Sequence, residues 1–200
     1  MALRTTLARI KSPSFVEGKF VRMRAPLPAD FVQWSKLRGD SRDFLTPWEP
    51  TWAMDELSRA AYRRRLSRYA KAAADGTGHM FFVFDRKTGE LTGGCQFSNI
   101  RIGVAQSAVS LGYWMGKKFA GQGLMTDAVV ALVRHAFDRM GYHRVEAACL
   151  PANAASRRVL AKAGFTAEGT ARKYLKINGE WQDHLLFAIV AGDPIPAAKP

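Results

Sequence analysis

Hydrophobic and polar positions follow two periods along this chain, and these periods predict which segments form strands and which form helices. Short apolar runs that alternate or end at turn residues are typical of strands, whereas apolar residues three and four positions apart are typical of helices. Strands are predicted at 20–24, 79–85, 91–98, 108–115, 144–150 and around Tyr174 and Leu185, and helices at 30–38, 55–73, 122–140 and 153–163. The order β-α-α-β-β-β-α-β-α-β-β predicts an α/β fold with a mixed central sheet and helices on both faces.

Polar residues and glycines predict where several of these helices begin and end. Asp55 is expected to cap the helix at 55–73, and Asn153 the helix at 153–163, because short acceptor side chains satisfy the first free N–H groups of a helix. Gly141 and Gly164 are expected to end the two later helices. The segment 46–50, Thr-Pro-Trp-Glu-Pro, is predicted to lie outside regular structure because two prolines interrupt it.

Composition indicates one folded domain. Hydrophobic residues make up 48% of the 200 residues, which excludes a disordered chain and is enough for one sizeable core. Residues 1–14 are polar and basic and are predicted to form a loosely held arm, whereas 194–200 hold three prolines and are predicted to be a disordered tail. The folded domain is therefore expected to span 15–193.

The sequence also bears on location and on metal chemistry. The apolar run at 80–84 is far too short to span a membrane, and Arg4 and Arg9 interrupt any apolar signal segment, so we expect a cytoplasmic protein without membrane contact. Cys95 and Cys149 are too few for a disulfide framework or a zinc site and are predicted to be buried thiols. No metal site is predicted. The four histidines are scattered and are assigned to structural roles: His79, His135, His143 and His184.

The net charge is the one abnormal value. Thirty Lys and Arg residues against 17 Asp and Glu give +13, which suggests an anionic partner: nucleic acid, a membrane or a phosphorylated small molecule. The predicted helix at 55–73 has no acidic residue between Leu57 and Ala73. Two interpretations of its basic residues stay open, a solvated helix face and a contact surface for ribosomal RNA. The arginines concerned are Arg59, Arg63, Arg64, Arg65 and Arg68.

A glycine-containing loop between a predicted strand and a predicted helix is the first candidate site. Gly121 and Gly123 precede the helix at 122–140, where free N–H groups and the helix dipole favour an anion, and Lys117 and Lys118 add positive charge. The spacing matches neither a nucleotide P-loop nor a dinucleotide fingerprint. A tight turn without a ligand remains the alternative.

A second candidate lies at the start of the helix at 153–163. Ser156 follows Asn153 by three residues, so both side chains lie on one helix face and can reach one groove. Arg157 and Arg158 add positive charge beside them. The alternative is that Asn153 only caps the helix.

Together these two segments resemble the superfamily of GCN5-related N-acetyltransferases (GNAT) from about residue 16 to residue 192. The loop from Lys118 to Gly123 is similar to its pyrophosphate-binding motif, with Lys where the motif has Arg or Gln, and Asn153-Ala-Ala-Ser156 is similar to the Asn-x-x-Ser motif of its ribosomal-protein branch. The resemblance implies acetyl-CoA as co-substrate, bound where the strands at 108–115 and 144–150 splay apart. The residues that it implies for coenzyme binding are Trp114, Met115, Lys118, Gly121, Gln122, Gly123, Leu124, Met125, Asn153, Ser156 and Arg158.

Three further segments resemble the RimJ-type branch: 45–50, 96–99 and 174–184. The resemblance implies direct acetyl transfer to the N-terminal Ala or Ser of a ribosomal protein. Two alternatives stay open: an acetyltransferase for a small amine such as a polyamine, an antibiotic or an amino acid, and a non-catalytic module that binds the ribosome or RNA.

The catalytic residues are less well defined by the resemblance. Relatives carry a Glu in the strand after the Glu168-Gly169 pair, and the matching residue here is Leu175, which cannot move protons. Glu49 and then Tyr174 are the predicted replacements for this base, with an exposed loop carboxylate and ordinary sheet packing as the respective alternatives. Ser156 is predicted to donate to the departing thiolate. The acceptor substrate is predicted to contact Trp48, Glu49, Asn99 and Tyr174.

Overall fold

A computed structural model describes residues 15–103 and 107–197, and an eight-stranded sheet with helices on both faces passes through them. The predicted arm at 1–14 and the last three residues of the predicted tail lie outside the described residues. The strands are β1 Val16–Glu17, β2 Val21–Arg24, β3 His79–Asp85, β4 Leu91–Arg101, β5 Ala108–Met115, β6 Arg144–Cys149, β7 Thr166–Ile177 and β8 Glu180–Val190, and the helices are α1 Phe31–Asp40, α2 Arg42–Leu45, α3 Arg59–Ala74, α4 Leu124–Asp138 and α5 Ala154–Lys162.

The sheet is mixed, as the pattern predicts. Its strand order is β1-β2-β3-β4-β5-β6-β8-β7, and β5 and β6 form its parallel pair while the other neighbours are antiparallel. The two-residue strand β1 and the four-residue helix α2 were not predicted, since neither is long enough to show a period. Within 46–50, Thr46–Trp48 form a single 3-10 turn rather than irregular chain.

The predicted cap of α3 is wrong. The helix begins at Arg59, and its N-cap is Ser58, whose side chain accepts a hydrogen bond from the N–H of Ala61. Asp55 lies one turn earlier in the chain and instead forms an ion pair with Arg64. Asn153 caps α5 as predicted, since its Oδ1 accepts from the N–H of Ser156 at 2.9 Å.

Consecutive side chains of β3 pack on opposite faces of the sheet under different helices, which is why the strand is apolar from Met80 to Phe84. Phe82 lies near Tyr62 of α3, which in turn stacks on Trp34 of α1 with 4.8 Å between the ring centroids. Phe81 points the other way and meets Phe97 edge to face. We call the first side the α1/α3 face and the second the α4/α5 face.

One buried carboxylate fixes the start of α4 against the first strands. Asp127 is 2% exposed and accepts hydrogen bonds from the N–H groups of Lys19, Phe20 and Val21 at 2.9, 2.6 and 3.0 Å. A buried charge of this kind is tolerated because several donors satisfy it. The interaction holds the first turn of α4 in place, next to the glycine loop.

The last described residues contact the domain. Ile195, within the segment predicted as a disordered tail, packs against the hydrophobic core. Among the described residues, no helix is long and apolar enough to cross a membrane.

The pairing of β5 with β6 stops halfway along the two strands. Paired residues are Ala108 with Arg144, Val109 with Val145 and Ser110 with Glu146, and no pair follows. Both strands continue beyond this point, to Met115 and Cys149. Their facing edges therefore separate into an open V, which is the splayed pair that the family resemblance implies.

Ion pairs close the V at its paired end. Glu146 accepts hydrogen bonds from Arg101 and Arg144, and Arg144 also pairs with Glu168. Burial of Glu146 alone would raise the pKa of its carboxyl, but the two guanidinium groups outweigh burial and lower the pKa.

Glu146→Gln should destabilise the fold by about 1 kcal/mol at neutral pH, because a charged acceptor for two arginines is lost. A carboxyl whose pKa is lower in the folded state stabilises the fold at pH values above its pKa in the unfolded chain, about 4.3. This contribution disappears as the pH falls through the pKa of the folded state. The difference in unfolding free energy between wild type and variant should therefore shrink below about pH 4. Urea unfolding at several pH values measures it, and a difference independent of pH would contradict the assignment.

Candidate active site

A cavity of about 770 Å³ lies in the open part of the V. Its walls are the free halves of β5 and β6, the glycine loop before α4, the start of α5, the segment 44–50, the end of β7 and His184 of β8. Buried strand edges leave N–H and C=O groups that need partners. An extended ligand that carries amides can supply them.

The glycine loop has the geometry of an anion site. Gly121 and Gly123 have φ of 80° and 76°, in the left-handed region that favours glycine, and no side chain caps the first turn of α4. The free N–H groups of this turn therefore remain available at the cavity wall. Arg158 and Lys162 of α5 line the same cavity and add positive charge.

Nine of the eleven residues predicted to bind the coenzyme line this cavity. They are Trp114, Met115, Gly121, Gly123, Leu124, Met125, Asn153, Ser156 and Arg158. The other two lie outside its walls. The ammonium group of Lys118 is 2.7 Å from Glu90, and the side chain of Gln122 donates to the carbonyl of Lys118. The contacts of all eleven residues with a coenzyme stay predictions.

Ser156 meets a partner that the sequence analysis did not identify. Its Oγ lies 2.8 Å from the hydroxyl of Tyr113, which reaches across from β5. Burial raises the pKa of Tyr113, although the hydrogen bond to Ser156 opposes this shift. Tyr113 therefore stays protonated and holds the Ser156 hydroxyl in the cavity wall. The strand pattern includes Tyr113, but only the fold shows that α5 lies opposite it.

A buried arginine connects α1 with the segment after α2. The guanidinium of Arg38 lies between two indoles, 4.4 Å from the ring centroid of Trp52 and 5.0 Å from that of Trp114. It also donates to both carboxylate oxygens of Glu49, at 3.1 and 2.6 Å. Trp52 donates to the second of these oxygens at 2.7 Å. Arg38 thus fixes Glu49 relative to Trp114 of β5.

The sequence of α1 contains a pattern that indicates a buried Arg38. Trp34, Leu37 and Arg38 are spaced three and four residues apart, so Arg38 continues the buried stripe of α1. A charged residue on a buried stripe requires a partner. Its partner, Glu49, lies beyond the helix, so helical spacing could not identify it.

The residues predicted to contact the acceptor lie at different places. Trp48 and Glu49 line the cavity. Tyr174 does not line the cavity and is 45% exposed. Its ring contacts the ring of His184 edge to face, with 5.8 Å between the ring centroids. Asn99 is exposed at an irregularity of β4, with φ of 50°, and is 3.5 Å from Ser110. The acceptor contacts of all four residues stay predictions.

A second cavity of about 820 Å³, the outer groove, adjoins the first. Trp48, Leu150, Ala152 and Ile177 line both cavities. The outer groove also contains Lys173, Glu180, Trp181 and Asp183. The turn between β7 and β8 is tied to the segment 46–48, because the side-chain amide of Asn178 donates to the carbonyl of Thr46 at 2.9 Å.

The arginines of α3 are partly neutralised. Arg64 pairs with Asp55 and Arg65 with Glu56, two acids that precede the helix. Arg59 stacks on Phe31 at 4.4 Å. Contact of this helix with RNA stays a prediction. In the described ranges, no group of three or more His, Cys, Asp or Glu side chains could hold a metal ion.

Comparison with known proteins agrees with this geometry. A family model of the acetyltransferase (GNAT) domain matches residues 21–166. The chain is 36% identical to the alanine N-acetyltransferase of ribosomal protein uS5 from Escherichia coli, over 78% of this chain and 80% of that protein. It is 35% identical to the probable N-acetyltransferase YjcK from Bacillus subtilis, over 89% of this chain and 98% of that protein. RimJ from Mycobacterium smegmatis, solved in complex with CoA-disulfide, superposes with a TM-score of 0.80 at 33% identity, over 86% of this chain and 82% of that chain.

Two features of this structure are those of acyl-CoA-dependent N-acyltransferases. One is the separation of β5 from β6, and the other is the uncapped first turn of α4 after a glycine loop. Since the family model matches well over half of the chain, the protein belongs to the GNAT family of acetyltransferases. The resemblance noted in the sequence, including its RimJ-type character, is confirmed.

Arg38→Lys should destabilise the protein by about 1–2 kcal/mol, because an ammonium group cannot stack between two indoles and bind both carboxylate oxygens of Glu49. Chemical unfolding measures this loss. Arg42 also faces Trp52, at 5.4 Å, but is exposed, so Arg42→Lys is the matched control and should change stability by less than about 0.5 kcal/mol. Equal effects of the two changes would contradict the role given to Arg38.

Gly112→Val should reduce acetyl transfer at least tenfold without destabilising the fold. Gly112 lines the cavity, and a Cβ added there meets no atom within 4 Å, so the larger side chain fills the cavity rather than the core. Steady-state rates and thermal unfolding measure the two effects. Gly112→Ala adds a single methyl group and should give an intermediate rate, and unchanged rates for both variants would exclude this part of the cavity as the reaction site.

Proposed function

We propose that this protein transfers the acetyl group of acetyl-CoA to the N-terminal amine of a ribosomal protein, at an alanine or a serine. The observation that carries the proposal is the likeness to the uS5-alanine N-acetyltransferase of Escherichia coli over most of both chains. The outer groove, which opens into the split-strand cavity, supports it because an extended peptide end has room there.

In this proposal the two substrates approach the V from its two faces. The diphosphate of acetyl-CoA binds the free N–H groups at the start of α4, and its pantetheine arm pairs with the free edge of β5 at Trp114 and Met115. The acceptor lies in the outer groove, beside Trp48. Glu180 and Asp183 of that groove provide negative charge for an N-terminal ammonium group.

The amine attacks the thioester carbonyl carbon directly. An N-terminal α-amine has a pKa near 7.7–8.0 against about 10.4 for lysine, so its neutral form costs roughly 3.4 kcal/mol less to produce. The Ser156 hydroxyl, which Tyr113 holds in place, donates to the departing sulfur. The lower pKa of the amine suits an α-amine better than a lysine side chain.

A peptide panel tests the proposed acceptor. Peptides with a free N-terminal Ala or Ser should be acetylated, and the same peptides with blocked N-termini and an internal lysine should not. Mass spectrometry of the products locates the acetyl group. Acetylation of lysine or of small amines alone would contradict the proposed substrate, and failure to bind acetyl-CoA in calorimetry would contradict the proposed coenzyme.

A further inference from the structure

His184 is a buried histidine with one nitrogen fixed and the other available. It is 3% exposed and lines the split-strand cavity. Its Nδ1 lies 3.0 Å from the carbonyl oxygen of Gln182, and a carbonyl only accepts, so Nδ1 carries the hydrogen. In the neutral ring Nε2 then holds a lone pair. No described residue is hydrogen-bonded to Nε2.

Strand register shows which face His184 occupies. Tyr113 contacts α5, so the odd-numbered residues of β5 lie on the α4/α5 face. Val109 pairs with Val145, and Cys149 farther along β6 pairs with Leu185 of β8, so these residues share that face. Directly opposed residues project to the same side, and neighbours along a strand project to opposite sides. His184 therefore lies on the α1/α3 face, with Trp114.

The position of His184 relates directly to Leu175. Leu175 pairs with Gln182, which is two residues from His184 on β8 and shares its face. His184 itself pairs with Ala171, and an irregularity of β7 lies between this pair and the pair of Leu175 with Gln182. Leu175 and His184 both line the cavity. The imidazole thus places a proton acceptor in the same cavity as Leu175, whose side chain cannot accept a proton.

Glu49 is less suited to accept a proton. Its two oxygens already accept three hydrogen bonds, two from Arg38 and one from Trp52. Protonation of this carboxylate would give up part of a buried, bidentate ion pair. The contacts of Glu49 suit a positioning role, in which it holds the segment 46–52 against α1.

Tyr174 contributes to the site through His184. Its ring covers the imidazole edge to face, and this contact helps to bury a residue near the exposed end of β8. The other ionisable side chains that line the same cavity are Glu49, Tyr113, Cys149, Arg158, Lys162 and Lys176.

We propose that His184 is the general base of acetyl transfer, a role that rests on the proposed function. As the amine nitrogen bonds to the thioester carbonyl carbon, Nε2 takes the proton that the nitrogen loses, and the carbon–sulfur bond breaks. The coenzyme leaves as a thiolate, which takes a proton from Ser156. The imidazolium gives its proton to solvent, and Ser156 regains one, so the products are an amide and a free thiol.

His184→Asn tests the assignment, because the amide of asparagine still donates to the carbonyl of Gln182 while Nε2 is removed. We expect kcat to fall roughly 100-fold or more, with the dissociation constant of acetyl-CoA and the melting temperature nearly unchanged. The dependence of kcat on pH should also change, because the proposed proton acceptor is absent. His143→Asn, at an exposed histidine outside the cavity walls, is the matched control and should behave as wild type. Added imidazole should partly restore the rate of His184→Ala.

Alanine amide serves as acceptor beside the peptides, because it presents the reacting α-amine without any part of a ribosomal protein. If His184→Asn keeps more than about a third of the wild-type kcat and the wild-type dependence of kcat on pH, the assignment is overturned while the proposed substrate stands. If alanine amide reacts through His184 but no ribosomal N-terminal peptide is acetylated, the proposed function fails and the assignment stands.

Discussion

The separation of β5 from β6 is the constraint on which the rest of this molecule depends. Two neighbouring strands in the middle of a sheet ordinarily pair along their whole length, since unpaired buried amides are costly. Here the pairing ends at Ser110 and Glu146, where ion pairs with Arg101 and Arg144 hold the strands together. Beyond this point the backbone edges of the two strands no longer pair with each other. The cavity therefore follows from where the pairing stops.

Alternation along β5 then directs neighbouring side chains to the two faces of the sheet. Tyr113 projects to the α4/α5 face, where Ser156 and the glycine loop lie, while Trp114 projects to the α1/α3 face and stacks on Arg38. Consecutive residues thus connect α5 with the segment that carries Glu49. Because both contacts originate on one strand, the backbone of β5 fixes the two sides of the cavity relative to each other.

Local signals predicted most of the elements, and nine of the eleven residues expected to bind the coenzyme line one cavity, because a glycine loop before a helix and an Asn-x-x-Ser cap act over a few residues. The residues of the α1/α3 face depend on pairings that no local pattern contains. Arg38 and Glu49 meet across α2 and the 3-10 turn that follows it, and His184 faces the cavity only because of its register against β6 and β7. The error at Asp55 has a local cause, since Ser58 competes for the same role and stands next to the first helical residue. Strand register is thus the information that sequence periodicity lacks.

The structure shows which of the excess positive charges lie at the cavity and which are paired with acids elsewhere. Arg158 and Lys162 line the cavity beside the free N–H groups of α4, where a diphosphate gains from every nearby cation. In α3, Arg64 and Arg65 are paired with acids, so that helix presents less charge than its sequence suggests. The outer groove instead contains Glu180 and Asp183. Positive side chains therefore prevail in the split-strand cavity, whereas the two acids of the outer groove stand against one cation, Lys173, so the two cavities favour ligands of opposite charge.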